Sequence, residues 1–213
     1  MLLVAGLGNP GGEYSGTRHN IGWMAIDAIA RHWNFASERR RFCSLTREGV
    51  IDTPGGPVKT LLMKPQTFYN ESGRAVGDAV GFHKLAPDRV VVFYDEIDLA
   101  AGRFRMKTGG GSAGNNGIRS ITSRIGPDFR RARMGTGHPG DKDLVLGHVL
   151  SEFARSERDW VAALIDACAG PALALLAAGE DERYQAEVLR LAPAPKLDPR
   201  AEARSGRRSA VDS

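Results

Sequence analysis

Short apolar runs alternate with amphipathic stretches along most of this chain, and that alternation constrains the fold more than any other feature. Residues 2–5 and 90–94 are apolar and β-branched, the pattern of buried strands. After a turn-rich stretch over residues 8–16, Ile21, Met24, Ala25, Ala28 and Ile29 recur at helical spacing, so a helix starts near His19 or Asn20. Residues 42–51 and 57–64 read as paired strands around the turn signal Asp52-Thr-Pro-Gly-Gly56. Thr67 is placed to cap a helix reaching about Phe82. Asp95 falls where the apolar strand 90–94 ends. Residues 103–107 suit an edge strand, 109–114 a glycine loop, 115–125 a helix and 129–134 a basic, alternating strand. Helices over 151–178 and 181–189 complete the pattern. Strands alternating with helices imply a single α/β domain, its mixed sheet mostly parallel and flanked by helices. The pattern leaves the strand order open.

A chain of 213 residues, 42% of them hydrophobic, is long enough to bury a substantial core. The globular domain is expected over residues 1–190. From about Ala192 the chain turns to Pro, Ala, Arg, Ser and Asp, so 191–213 reads as a disordered tail. Residues 1–8 show neither the basic region nor the extended apolar region of a secretory signal. The apolar run 161–178 is interrupted by Asp166 and by Gly170-Pro171, which marks a helix packed on the domain rather than a membrane span. A cytoplasmic location with no membrane attachment is the expectation. Cys43 and Cys168 form no CxxC pair and read as two buried, reduced thiols. A net charge of +4 is compatible with a polyanionic partner without establishing one.

Two glycine strings invite nucleotide readings. Gly6-Leu-Gly-Asn-Pro-Gly11 fits GxGxxG after a strand. A pyrophosphate needs a helix opening inside that motif, whereas this chain runs on through Gly12 and Gly16. The string Gly109–Gly114 lacks the Gly-Lys-Ser/Thr ending of a phosphate loop. No histidine pair has the spacing of a zinc site and no GxSxG elbow is present, so no metal or organic cofactor is expected.

Several polar residues fall at element ends: Asn9, His19, Asn70, Asp95 and Asn116. Loops at the carboxyl ends of parallel strands converge on ligand sites. A carboxylate that orients an imidazole, with amides to hold water and an oxyanion, suits hydrolysis of an activated ester. Each residue also has an ordinary structural use: His19 as a helix cap, Asn9 in a turn, Asp95 paired with a surface cation.

These residues resemble a family. The seventeen-residue string Gly6-Leu-Gly-Asn-Pro-Gly-Gly-Glu-Tyr-Ser-Gly-Thr-Arg-His-Asn-Ile-Gly22 is similar to the N-terminal signature of bacterial peptidyl-tRNA hydrolases. Lys64-Pro-Gln-Thr-Phe-Tyr-Asn70, Asp95-Glu-Ile-Asp98, the segment 109–118 and Gly135-Thr-Gly-His-Pro-Gly-Asp-Lys142 follow in the family's order. The resemblance implies a monomeric enzyme that recycles tRNA by cleaving peptidyl-tRNA, gripping the acceptor stem and the attached peptide. It implies that His19 is the general base, that Asp95 orients it, and that Asn70 helps place the water. Asn9 and Asn116 would hold substrate beside the ester. Tyr14 and Tyr69 would contact substrate, and Lys107 and Arg133 would clamp the tRNA 5′-phosphate. Three positions depart from the family's usual residues: Tyr69 stands for Met, Ala113 for Gly, and Asn115 for His. A non-catalytic RNA-binding relative and a dinucleotide-binding protein are the competing readings.

Overall fold

The computed structural model describes residues 1–195. Seven strands form one sheet: β1 (Leu2–Gly6), β2 (Arg39–Arg41), β3 (Ser44–Thr53), β4 (Gly56–Pro65), β5 (Val90–Glu96), β6 (Phe104–Thr108) and β7 (Arg130–Gly135). They lie in the order β2-β3-β4-β1-β5-β7-β6. The four middle strands β4, β1, β5 and β7 are parallel, while antiparallel pairings join β2 to β3, β3 to β4 and β7 to β6. The helices are α1 (Ile21–His32), α2 (Ser72–His83), α3 (Asn116–Ile125), α4 (Val145–Val149), α5 (Arg158–Ala169), α6 (Leu173–Ala178) and α7 (Asp181–Leu191).

Parallel strands need cover on both faces. Strand β1 supplies both at once: Leu2 and Val4 pack with residues of α1, α5, α6 and α7, while Leu3 and Ala5 pack with residues of α2 and α3. The single α/β domain expected from the alternation is therefore a three-layer arrangement with a mixed sheet, parallel at its centre.

The glycines of the first motif serve packing. A side chain at Gly6 would begin 2.2 Å from the carbonyl oxygen of Gly22, and one at Gly22 would begin 2.4 Å from that of Phe93. Their absence of Cβ atoms lets α1 start directly on the carboxyl ends of β1 and β5. Gly11 takes a positive φ of 123°, open to glycine and strained for other residues. The helix that follows begins only at Ile21, outside the glycine string. No α-helix opens within the motif.

A buried cation fixes the turn ahead of α1. Arg18 donates to Ser151 Oγ at 2.8 Å and to the Glu152 carbonyl at 2.6 Å, and pairs with Glu157. Its guanidinium carbon also lies 5.1 Å from the centre of the Phe153 ring. A bridge between Thr17 and Glu152 runs alongside. The 3-10 turn Arg18–Asn20 is thus held to a segment more than a hundred residues later in the chain.

Several sequence expectations are corrected. Thr67 caps no helix: its hydroxyl is buried without a partner, and α2 begins at Ser72 after a 3-10 turn, Tyr69–Glu71. Phe68 is extended there, so the chain is not helical at the expected start. The helix expected over 151–178 is broken. Residues near 152 are extended, and Gly170 leaves the helical region before Pro171, ending α5 and separating it from α6. Cys43 is exposed, because Phe42 and Cys43 both take positive φ in the tight turn between β2 and β3; only Cys168 is buried. Residue 191 ends α7 instead of starting a tail, and residues 196–213 lie outside the described residues. Among the described residues, no helix is long and apolar enough to cross a membrane.

Gly22→Ala should lower the unfolding free energy by about 1–3 kcal/mol in urea titration, the usual cost of forcing extra atoms into a packed contact. Unchanged stability would show that α1 does not need its close seat on the sheet.

Candidate active site

The site grows from the carboxyl ends of β1 and β5. The turn Arg18–Asn20 packs against β5, and the turn Tyr69–Glu71 packs against α3. This brings His19 onto Asp95, with Nδ1 2.7 Å from Oδ2. The Asp95 side chain is 1% exposed and that of His19 18%. A carboxylate only accepts hydrogen bonds, so Nδ1 carries the ring proton and Nε2 keeps the lone pair. The imidazole of His19 lines the open cleft.

A buried carboxylate requires more than one donor. The second is Tyr69, whose hydroxyl lies 2.6 Å from Asp95 Oδ1. The Tyr69 ring also stacks on the His19 ring, with centroids 3.6 Å apart and planes 5° from parallel. Burial first, and the neighbouring Asp95 charge second, push the Tyr69 hydroxyl well above the ordinary tyrosine range, so it stays a neutral donor. Asn115 Nδ2 donates to that hydroxyl at 3.0 Å, while Asn115 Oδ1 caps α3 by accepting from the Ile118 N–H at 3.0 Å.

Asn9 braces the same group. Its Oδ1 accepts from the backbone N–H of Tyr69 at 2.8 Å. Its own backbone is held by Asn20, which accepts from the Asn9 N–H at 2.8 Å and donates to its carbonyl at 3.0 Å.

Beside His19 opens a cleft of about 520 Å³, walled by Ala113, Asn115 and Asn116 from the glycine loop and by His138, Lys142 and Leu146. Asn116 is exposed on that wall. Asn70 is exposed on its 3-10 turn and Tyr14 is partly exposed, both outside the cleft lining. Tyr69, expected among the substrate contacts, lies beneath the His19 ring. A larger groove of about 860 Å³ runs between α1 and α5. It contains none of the expected residues, and its Asp27 is tied to Lys64 at 2.6 Å; His19, Asp95 and Asn116 all line the smaller cleft. Among the described residues, no three His, Cys, Asp or Glu side chains are grouped to hold a metal ion.

The edge hairpin carries the basic residues. Arg105 pairs with Arg133 and Lys107 with Arg131 across β6 and β7, and directly paired residues share a face. Lys107 is exposed, while Arg133 donates to Glu96 Oε2 at 3.0 Å. Arg131 is buried and donates to the carbonyls of Gly110 and Gly111 at 2.9 and 2.7 Å, pinning the glycine loop. Burial lowers its pKa from the usual arginine value. The sequence reading missed Arg131, Asn20 and Arg18, although the cluster of three arginines at 130, 131 and 133 along β7 was a signal for the first.

Fold and cleft together define a class: an α/β protein presenting an oriented imidazole–carboxylate pair at the carboxyl end of a parallel sheet. The family model described as peptidyl-tRNA hydrolase matches residues 3–193. A peptidyl-tRNA hydrolase of Phenylobacterium zucineum is 70% identical over 94% of this chain and 95% of its own length. One from Caulobacter vibrioides is 60% identical over 96% and 99%. The crystal structure of a peptidyl-tRNA hydrolase from Acinetobacter baumannii superposes with a TM-score of 0.83 at 36% identity, covering 91% of this chain and 97% of that one. The chain belongs to the peptidyl-tRNA hydrolase family.

Burial raises the pKa of three of the four tyrosines, Tyr69, Tyr94 and Tyr184. A raised native pKa contributes stability that is present below the unfolded value of about 10 and is lost as pH rises through the native value. In an alkaline titration, most tyrosinate absorbance should therefore appear together with loss of near-ultraviolet circular dichroism. Ionisation of these three tyrosines in a still-folded protein, near the ordinary value, would show their hydroxyls to be solvated.

Proposed function

We propose that this chain hydrolyses the ester joining a peptide to the terminal ribose of its tRNA, freeing the tRNA for translation. The observation that carries this reading is the contact between His19 Nδ1 and Asp95 Oδ2 at 2.7 Å, beside an open cleft. His19 Nε2 takes a proton from water as the water oxygen attacks the ester carbonyl. Asp95 stabilises the imidazolium that forms, which then returns the proton to the departing ribose oxygen. The Asn116 amide, exposed on the cleft wall, is assigned to substrate and to the negative oxygen of the tetrahedral intermediate. Asn70 is assigned to the water, and Asn9 acts through the Tyr69 backbone that it holds. Tyr14 is assigned a contact with the substrate. This sequence of proton transfers calls on no metal, and the enzyme acts as a cytoplasmic monomer in this reading. The intact His19–Asp95 pair favours an enzyme over a non-catalytic RNA-binding relative.

Lys107 and Arg133 supply the phosphate clamp. Their charge selects an RNA end without reading its sequence. Arg133 also neutralises Glu96, so Lys107 is the cleaner probe of the clamp.

His19→Ala should lower kcat by about a thousandfold, within the range of general-base catalysis, and leave tRNA affinity nearly unchanged. The assay is peptide release from purified N-acyl-aminoacyl-tRNA in the presence of a chelator. A variant that retains the wild-type rate would remove His19 from the base role, and loss of wild-type turnover in chelator would overturn the metal-free scheme. Lys107→Ala should weaken binding and reduce the slope of log affinity against log salt by about one. An unchanged slope would place the phosphate elsewhere.

A further inference from the structure

We infer that Tyr69 and Asn115 form one positioning unit that sets the orientation and charge of Asp95, and through it the behaviour of His19. This rests on the general-base reading of His19. The four side chains form an unbroken line: Asn115 Nδ2 to the Tyr69 hydroxyl at 3.0 Å, that hydroxyl to Asp95 Oδ1 at 2.6 Å, and Asp95 Oδ2 to His19 Nδ1 at 2.7 Å. The direction of each hydrogen bond is dictated. Asn115 Oδ1 is occupied by the Ile118 N–H at the start of α3, so its amide nitrogen must point at Tyr69. The Tyr69 oxygen then accepts from Asn115 and has one proton to give, which goes to Asp95.

The unit acts on the base in two ways. The Tyr69 hydroxyl binds the carboxylate oxygen that His19 does not use, so the carboxylate cannot rotate away from Nδ1. It also draws negative charge off Asp95, weakening the support for an imidazolium. The ring of Tyr69 meanwhile stacks flat on His19 at 3.6 Å and fixes the tilt of the imidazole. Other titratable groups around His19 are Glu96, His138 and Lys142 in the cleft. None of them forms a hydrogen bond to His19 or Asp95.

The two positions are among the three at which this chain differs from the pattern of the family it resembles, Tyr69 for Met and Asn115 for His; the third, Ala113, takes no part in the line. A methionine at 69 offers Asp95 no hydroxyl and leaves the Asn115 amide only its longer contact with the Asp95 carbonyl, at 3.4 Å. The two departures are therefore coupled, and Asn115 is a positioning residue with a second duty as a helix cap.

The test is a double-mutant cycle with Tyr69→Phe, which keeps the stacked ring, and Asn115→Ser, which keeps a capping oxygen and removes the amide. His19→Ala runs in parallel, and thermal melts confirm that each variant is folded. Tyr69→Phe should lower kcat by roughly tenfold, the scale of one hydrogen bond to a charged group, with KM little changed. The acid limb of its kcat–pH profile should move to higher pH, because Asp95 then supports the imidazolium more strongly. Asn115→Ser should have a smaller effect of the same kind, and the double variant should be no worse than Tyr69→Phe alone. If folded Tyr69→Phe keeps both kcat and acid limb while His19→Ala is inactive, the positioning unit is overturned and the base assignment stands. If His19→Ala remains active, the base assignment falls first. Additive losses in the double variant would separate Asn115 from Tyr69. Should Tyr69→Phe fail to fold, Asn115→Ser decides: an unshifted acid limb there also overturns the unit.

Discussion

The carboxylate of Asp95 sets the requirements that the rest of the site meets. A charged side chain at the end of a buried parallel strand has lost its water and must find donors nearby. The sheet supplies none at that point, so the donors come from two turns. One carries His19, and the other carries Tyr69. Each turn is in turn anchored elsewhere, the first by Arg18 on the segment near residue 152 and the second by Asn9. Glycines at 6 and 22 remove the side chains that would hold α1 away from the strand ends. The cleft is what remains when these constraints are met together with the glycine loop.

The loop is itself held from two directions. Arg131 holds the carbonyls of Gly110 and Gly111 from the sheet side. Asn115 fixes its other end by capping α3. Between them Ala113 takes a φ of 47°, a conformation that glycine adopts freely and alanine does not. The alanine found where the family usually has glycine is thus a strained residue in a loop tied at both ends. A loop tied in this way presents Asn116 on the cleft wall.

Much of the fold was legible because its strands and helices carry their burial in their periodicity. The apolar run before Asp95 and the stripe from Ile21 to Ile29 needed no partner to be recognised. Strand β2 was not legible: Arg39–Arg41 offers three basic residues and no apolar face, and it becomes a strand only because β3 pairs with it. The break at Gly170-Pro171 was visible, yet the alanine-rich sequence on either side suggested one helix. In the site, motif resemblance pointed to His19 and Asp95 together, and the structure places them in contact. The position of Tyr69 could not be read from the chain. An aromatic residue beside a conspicuous asparagine reads as a pocket wall, and only the adjacency of the 69 turn to the end of β5 turns it inward. Arg18 was hidden for the same reason, since its partners lie beyond residue 150.

That last attachment bears on the order in which the molecule can be completed. A chain emerging from the ribosome delivers β1 and residues 9–19 first, and strands β4 and β5 follow within the first hundred residues. The partners of Arg18 arrive far later, and so does β7, which stands between β5 and the edge of the sheet. Until the segment carrying Ser151, Glu152 and Glu157 has emerged, the turn bearing His19 lacks its staple. The cleft is therefore completed late, and a nascent fragment that ends before residue 150 carries Asp95 and Tyr69 to orient the histidine but not the anchor that holds its turn in place.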